Sequence, residues 1–192
     1  MILLIFALVG GVAAVVENLR RGTKPTLEGL VCIRALWLPI VGFLLHGLIS
    51  WAPAFALRFA GPLMSAYYFC ILLFLFLNRW EKIPMLFMAL GSLCNFSVIA
   101  ANGFRMPISP LALTVYPGMT PEAVYAEKVN YFVAVNGANL YPLGDIIPVP
   151  LGRLGGFASV GDLLLGVGLM LFLWKVLAPP RREQPNSAEA GQ

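Results

Sequence analysis

Charge is what this chain has least of. Only 11% of its 192 residues are Asp, Glu, Lys or Arg, while 59% are hydrophobic and the mean hydropathy is +0.83. That balance excludes an ordinary soluble domain, which needs far more polar surface. Histidine is nearly missing too. With His46 alone, a bis-histidine haem within one chain is excluded, and no His/Cys/carboxylate cluster has metal-ligand spacing. Cys32, Cys70 and Cys94 are odd in number, far apart and set in apolar runs without a CxxC pair, so they read as small buried hydrophobes, not a disulfide framework. No dense Lys/Arg run is interleaved with aromatics, which removes nucleic acid as a partner. Nucleophile elbow, Walker loop, dinucleotide fingerprint and zinc-protease motif are all lacking. The sequence therefore assigns no catalytic residue, no metal and no cofactor.

What the chain has in quantity is long apolar runs. A helix needs about 20 apolar residues to cross the hydrocarbon core of a bilayer. Five runs approach that length, at about 1–16, 32–51, 62–77, 84–101 and 159–177. The expected fold class is all-α: a polytopic transmembrane helical bundle of about five spans, with an outer amphipathic helix and a Pro-rich cap segment. One transmembrane domain would cover 1–178, with the outer segment at 102–158 and a disordered cytoplasmic tail at 179–192. The first run lacks a basic n-region and an A-x-A site, so it reads as an uncleaved span. Pro39 is expected to kink the second span, and residues 52–61 to form a short connection.

Basic residues set the orientation. Arg20, Arg21, Lys24, Arg34, Arg79, Lys82, Lys175, Arg181 and Arg182 fall on one side; Arg58, Arg105, Lys128 and Arg153 fall on the other. Nine against four places the C-terminus in the cytoplasm and the N-terminus outside. Glu122, Glu127, Asp145 and Asp162 neutralise the outer side, so the whole net charge of +4 lies within.

The outer segment carries local signals. Thr120-Pro121-Glu122 is a helix start, with Thr as N-cap, Pro at the first helical position and Glu on the positive end of the dipole. Asn136-Gly137 is a stop. Between them Tyr125, Val129, Phe132 and Asn136 fall at helical spacing, which predicts an amphipathic helix lying on the outer interface. In residues 141–152, Pro142, Pro148 and Pro150 forbid a regular helix, yet the run is too apolar for a solvated loop. It is expected to fold over the bundle as a lid. Asp162 reads as the cap of the last helix; Asp145 cannot open a helix because Pro148 and Pro150 follow too soon.

Polar groups among such helices ask for partners, because lipid supplies none. Ser92, Asn95 and Asn102 share one side of the fourth span with Gly91, as interhelical glue or as a ligand-facing stripe. Arg105 stands at the membrane surface, either snorkelling or holding a carboxylate or phosphate. Asn95, Asn102, Arg105, Asp145 and Asp162 are expected to gather into one site on the outer face, with His46 deeper in the bundle. Within it Arg105 would pair with Asp145 or Asp162. Arg34 reads as snorkelling to the opposite head groups, and Gly10 with Ala14 as a helix-packing pair.

Ala-Asn-Gly-Phe-Arg-Met-Pro at 101–107, Leu-Gly-Asp-Ile-Ile-Pro at 143–148 and Ser-Val-Gly-Asp-Leu-Leu at 159–164 occur in that order. In these motifs the chain resembles an uncharacterised family of bacterial multi-span membrane proteins, a domain of unknown function. The resemblance implies a bacterial plasma (inner) membrane location and supplies no activity. Many members read Asn-Gly-Gly where this chain has Asn102-Gly103-Phe104. Three functional readings stay open. The first is a non-enzymatic accessory, scaffold or binding subunit, with membrane lipids, other membrane subunits or a second copy as partners. The second is a small transporter or lipid-handling protein, which requires a pocket reaching the midplane near Asn95 and His46. The third is a membrane enzyme acting on an outer-leaflet substrate, which requires Arg105 and an aspartate converging on a cleft.

Overall fold

A computed structural model describes residues 2–23, 33–51, 53–115, 120–127, 130–150 and 156–178. Its helices are α1 (Ile2–Arg21), α2 (Trp37–Trp51), α3 (Pro53–Leu77), α4 (Lys82–Ala101), α5 (Ala112–Val115), α6 (Pro121–Glu127) and α7 (Val160–Leu177). Four stretches, Ile2–Arg21, Arg58–Leu77, Lys82–Ala101 and Val160–Leu177, are long and apolar enough to cross a membrane, and α2 is a shorter apolar helix. Their outward faces carry Leu4, Leu8, Leu19, Leu44 and Phe69, each at least 65% exposed. Water would penalise so much bare apolar surface, whereas lipid tails match it. The all-α bundle of the sequence reading is the fold.

The chain packs as two sets. Helix α7 runs against both α4 and α1, and α2 packs on α3; α3 meets α4 along a thinner seam. At Gly91 of α4, an added Cβ would lie 2.8 Å from the Leu165 nitrogen of α7. At Gly10 of α1 it would lie 2.5 Å from the Met170 carbonyl oxygen. Backbone meets backbone there, and only glycine allows it.

Buried asparagines rivet the bundle where it lacks water. Asn18, 1% exposed, donates from Nδ2 to Ala14 O and to Leu177 O, both at 2.8 Å, tying the end of α1 to the end of α7. Asn78, fully buried, accepts the Arg34 N–H (2.8 Å) and donates to Arg34 O (2.9 Å), locking the entry to α2 against the end of α3. These contacts mark one end of the bundle, the basic end.

The other end carries a small cap. Strand β1 (Met106–Ile108) pairs in parallel with β2 (Tyr131–Val133), and β3 (Ile147–Val149) pairs antiparallel with β4 (Gly156–Ala158). A 3-10 turn at Tyr141–Leu143 touches α4 and α7, so the Pro-rich segment does fold onto the helix ends. Pro148 sits inside β3, in a two-stranded pairing that leaves an edge open.

Several local expectations are corrected. Helix α1 continues to Arg21, past Val16. Helix α2 begins at Trp37, which puts Pro39 in its first turn, where the missing N–H costs nothing; no kink is needed. The break occurs in α3 instead, at Phe59 (φ −120°, ψ 17°), three residues before Pro62, which can neither donate to Arg58 nor fit under its carbonyl. Residues 53–58, expected as a connection, are helical. The interfacial helix expected over 121–136 stops at Glu127; Tyr131, Phe132 and Val133 extend as β2, because aromatic and β-branched side chains paired to β1 outweigh a helical spacing of only four positions. Its Thr120 start holds, with Thr120 Oγ1 accepting the Ala123 N–H at 3.1 Å. Val129 and the tail at 179–192 lie outside the described residues.

Candidate functional site

The close approach of α4 to α7 sets Asn95 over the first turn of α7. Asn95 is 6% exposed and fully used on that side: its Nδ2 donates to Asp162 Oδ1 (2.9 Å) and its Oδ1 accepts the Ser159 hydroxyl (2.8 Å). Ser159 is the N-cap, its Oγ accepting the Asp162 N–H at 2.9 Å, while Asp162 Oδ2 accepts the Ser159 N–H at 3.2 Å. This is a capping box with aspartate in its third position, and the carboxylate also lies on the positive end of the helix dipole. Asp162 is thus not the cap itself. The box and Asn95 close a ring of four hydrogen bonds, a satisfied network of the kind apolar surroundings demand.

Asp145 comes from the cap. Its backbone joins β1 from the side opposite β2: Asp145 N–H donates to Pro107 O (2.9 Å) and Asp145 O accepts the Ser109 N–H (3.0 Å). The residue is 7% exposed. Tyr131 of β2 lies in the same neighbourhood. Burial, then the Asp145 and Asp162 carboxylates, pushes its phenol well above the usual range.

These groups converge on a cavity of about 330 Å³ between α2/α3 and α4/α7. Asn95, Asp162, Asp145, Asn130 and Tyr131 line its cap end, and Ser92, Tyr67 and Tyr68 follow. Its length is apolar, running past Ile71 and Leu165 to Phe74 and Pro39. His46 lines it as well, its ring 5.2 Å from that of Tyr67, which in turn stands edge-on to Tyr68 at 4.7 Å. Among the described residues no lysine or arginine faces this space, nor do three His, Cys, Asp or Glu side chains gather as a metal site.

The single site expected from the sequence divides in two. Asn95, Asp145, Asp162 and His46 share the cavity. Asn102 does not: it closes the cap from outside, donating to Asn139 O (2.8 Å) and accepting the Asn139 N–H (3.0 Å), while Asn139 Nδ2 reaches Ala101 O (2.9 Å). Arg105 is half-buried just before β1 and does not line the cavity. The polar stripe of α4 splits because α4 ends at Ala101, and the chain turns at Gly103 (φ +64°) and Phe104 (φ +62°). Phe104 holds a left-handed conformation that glycine would adopt without strain.

Comparison with known families places residues 30–174 in DUF5317, a family of unknown function. The chain belongs to this family. Neither the curated proteins nor the solved structures contain a match.

In this DUF5317 member the sequence reading missed Tyr67, Tyr68, Asn130, Tyr131 and Ser159. Ser159 was legible, since Ser-x-x-Asp before an apolar run is a helix-start signature. The tyrosines carried no such signal, because Tyr67 and Tyr68 look like any aromatic pair in a span. Tyr131 falls within the helix expected over 121–136, which ends before reaching it.

Proposed function

We propose that this protein lies in a bacterial plasma membrane, its N-terminus outside and its C-terminus in the cytoplasm, and binds an amphipathic small molecule in the cavity. The orientation is supported by the nine-to-four division of basic residues. One observation carries the binding reading: a single cavity joins a polar cap end, with Asn95, Asp145, Asp162 and Tyr131, to an apolar length walled by helices. At about 330 Å³ it falls at the lower end of small-molecule sites. The carboxylates, amide oxygens and phenols that line the cap end favour a head that donates hydrogen bonds, such as a hydroxyl or an amine, over a phosphate or sulfate. An alkyl chain would restore the dispersion contacts that the empty space denies the apolar walls. The reading is a binding or lipid-handling role. Arg105 is not among the residues that line the cavity.

The test is photolabelling of the full chain in mild detergent with a long-chain alcohol bearing a mid-chain diazirine. Label should concentrate on the peptides containing Tyr67–Ile71 and Leu165–Leu169, and Ile71→Trp, which fills the cavity, should remove most of it. Label spread evenly over the outward faces of α1 and α2, and unchanged by Ile71→Trp, would overturn the proposal.

A further inference from the structure

A second concave surface lies at the basic end and shares only Leu75 with the lining of the cavity. The turn between α3 and α4, the start of α4 and the segment entering α2 enclose a groove of about 1040 Å³. Arg34, Arg79 and Lys82 stand on its rim with Trp80, and Leu72 and Leu86 form part of its apolar wall. All three cations are exposed. They are far apart in sequence, and Asn78 brings them together. Its side chain holds both the N–H and the carbonyl of Arg34 and also donates to Phe74 O at 2.8 Å, fixing Arg34 beside the turn that carries Arg79. Glu81, the acid within that turn, is drawn away to Lys175 (Nζ–Oε2 2.8 Å). Arg79 keeps its guanidinium over the Phe76 ring, 4.5 Å from the centroid. Among the described residues no acidic side chain lines the groove.

We infer that this groove binds an anionic glycerophospholipid, its phosphate held by Arg34, Arg79 and Lys82 and its acyl chain against the apolar wall. Two features choose this occupant over a soluble anion. The wall is the face of helices apolar enough to cross a bilayer, and Trp80, 44% exposed, sits where indoles favour the interface. Basic pockets between helices at a membrane surface recognise anionic head groups through just this pairing of charge with apolar depth. Arginine adds two parallel bonds to phosphate oxygens.

The experiment uses the full chain in nanodiscs of phosphatidylcholine with an equal share of phosphatidylglycerol, the retained lipid being read by native mass spectrometry after release. The wild-type chain should retain phosphatidylglycerol over phosphatidylcholine. Each of Arg79→Gln and Lys82→Gln should lower that preference about fivefold. Arg34→Gln should do the same while leaving the turn intact. Arg58→Gln, a basic residue at the opposite end, should leave it unchanged. Equal retention of the two lipids by the wild type, or an equal loss in Arg58→Gln, would overturn the proposal, since the attraction would then be general. Inorganic phosphate at millimolar concentration should not displace the lipid. If it does so in full, the groove is a site for a soluble anion and the lipid assignment fails.

Discussion

Where α4 meets α7, the opposed residues are Gly91 and Gly161, and the two backbones touch. Where α3 meets the same pair of helices, Tyr68 packs in one core cluster with Val98 and Ile99 of α4, but Tyr67, Tyr68, Ile71 and Leu165 also line a cavity. Both seams are apolar, so hydrophobicity does not distinguish them. Side-chain size does. Between membrane helices no solvent-driven force closes a gap; small residues permit close packing, and large ones hold helices apart unless they interlock. The α4/α7 contact reads as scaffold and the α3 contact as working space.

The largest expected effect comes from adding volume to each seam. Gly91→Val drives its side chain into the backbone of Leu165, which cannot move aside without separating α4 from α7. The expected loss is about 3 kcal/mol, the upper range for overpacking. Ile71→Phe adds volume facing the cavity and should change stability by less than about 1 kcal/mol. Thermal midpoints of both variants in the same detergent check the contrast. Equal losses would show that the two seams are packed alike, and the cavity would lose its standing as a binding space.

A smaller effect separates glue from ligand contact within the polar ring. Asn95→Ala removes the partner of both the Ser159 hydroxyl and the Asp162 carboxylate, at a cost of about 1–2 kcal/mol. Ser159→Ala removes the helix cap and should cost about 1 kcal/mol. Because the two side chains bond each other, the double variant should lose less than the sum of the single losses. Strict additivity would mean that Asn95 and Ser159 act independently, with Asn95 turned toward the cavity instead of the ring.

The same contrast explains what could be read in advance. Composition and run length gave the bundle, because span length and apolar content are properties of the chain itself. Asp145, Asp162, Asn95 and His46 stood out, since a polar group among apolar helices is conspicuous wherever it lies. The capping box was written locally, in Ser159 and Asp162. The cap's sheets were not: β1 and β2 are three residues each and gain their identity from a partner some 25 positions away. Asn78 carries no signal that marks it, yet it is fully buried and bonded to Arg34. Its role depends on which helix lies beside it, and a single sequence carries no record of that. Helical spacing groups Asn102 with Asn95, a rule that fails here because the helix ends at Ala101.

The smallest effect tests the electrostatics of the cap end, through Tyr131. Its phenol is raised above the ordinary value of 10.0, first by burial and then by the Asp145 and Asp162 carboxylates, which oppose a further negative charge. Below pH 10 the phenol is neutral in folded and unfolded chains alike, so its stabilising contacts are intact. As pH rises past that value the unfolded chain releases the proton while the folded chain retains it, and stability falls until the folded phenol also ionises. At pH 10.5 this one group should cost about 0.8 kcal/mol. Tyr131→Phe removes the titration, so its thermal midpoint should fall less steeply than that of the wild type between pH 9 and pH 10.5. Asp145→Asn in the wild-type background should shallow the same slope by a smaller amount, because it removes one opposing charge and leaves the burial. If the wild type and Tyr131→Phe descend in parallel, Tyr131 titrates as a solvated phenol. The cap end of the cavity would then be open to water, and a hydrogen-bonding head group would have to compete with it.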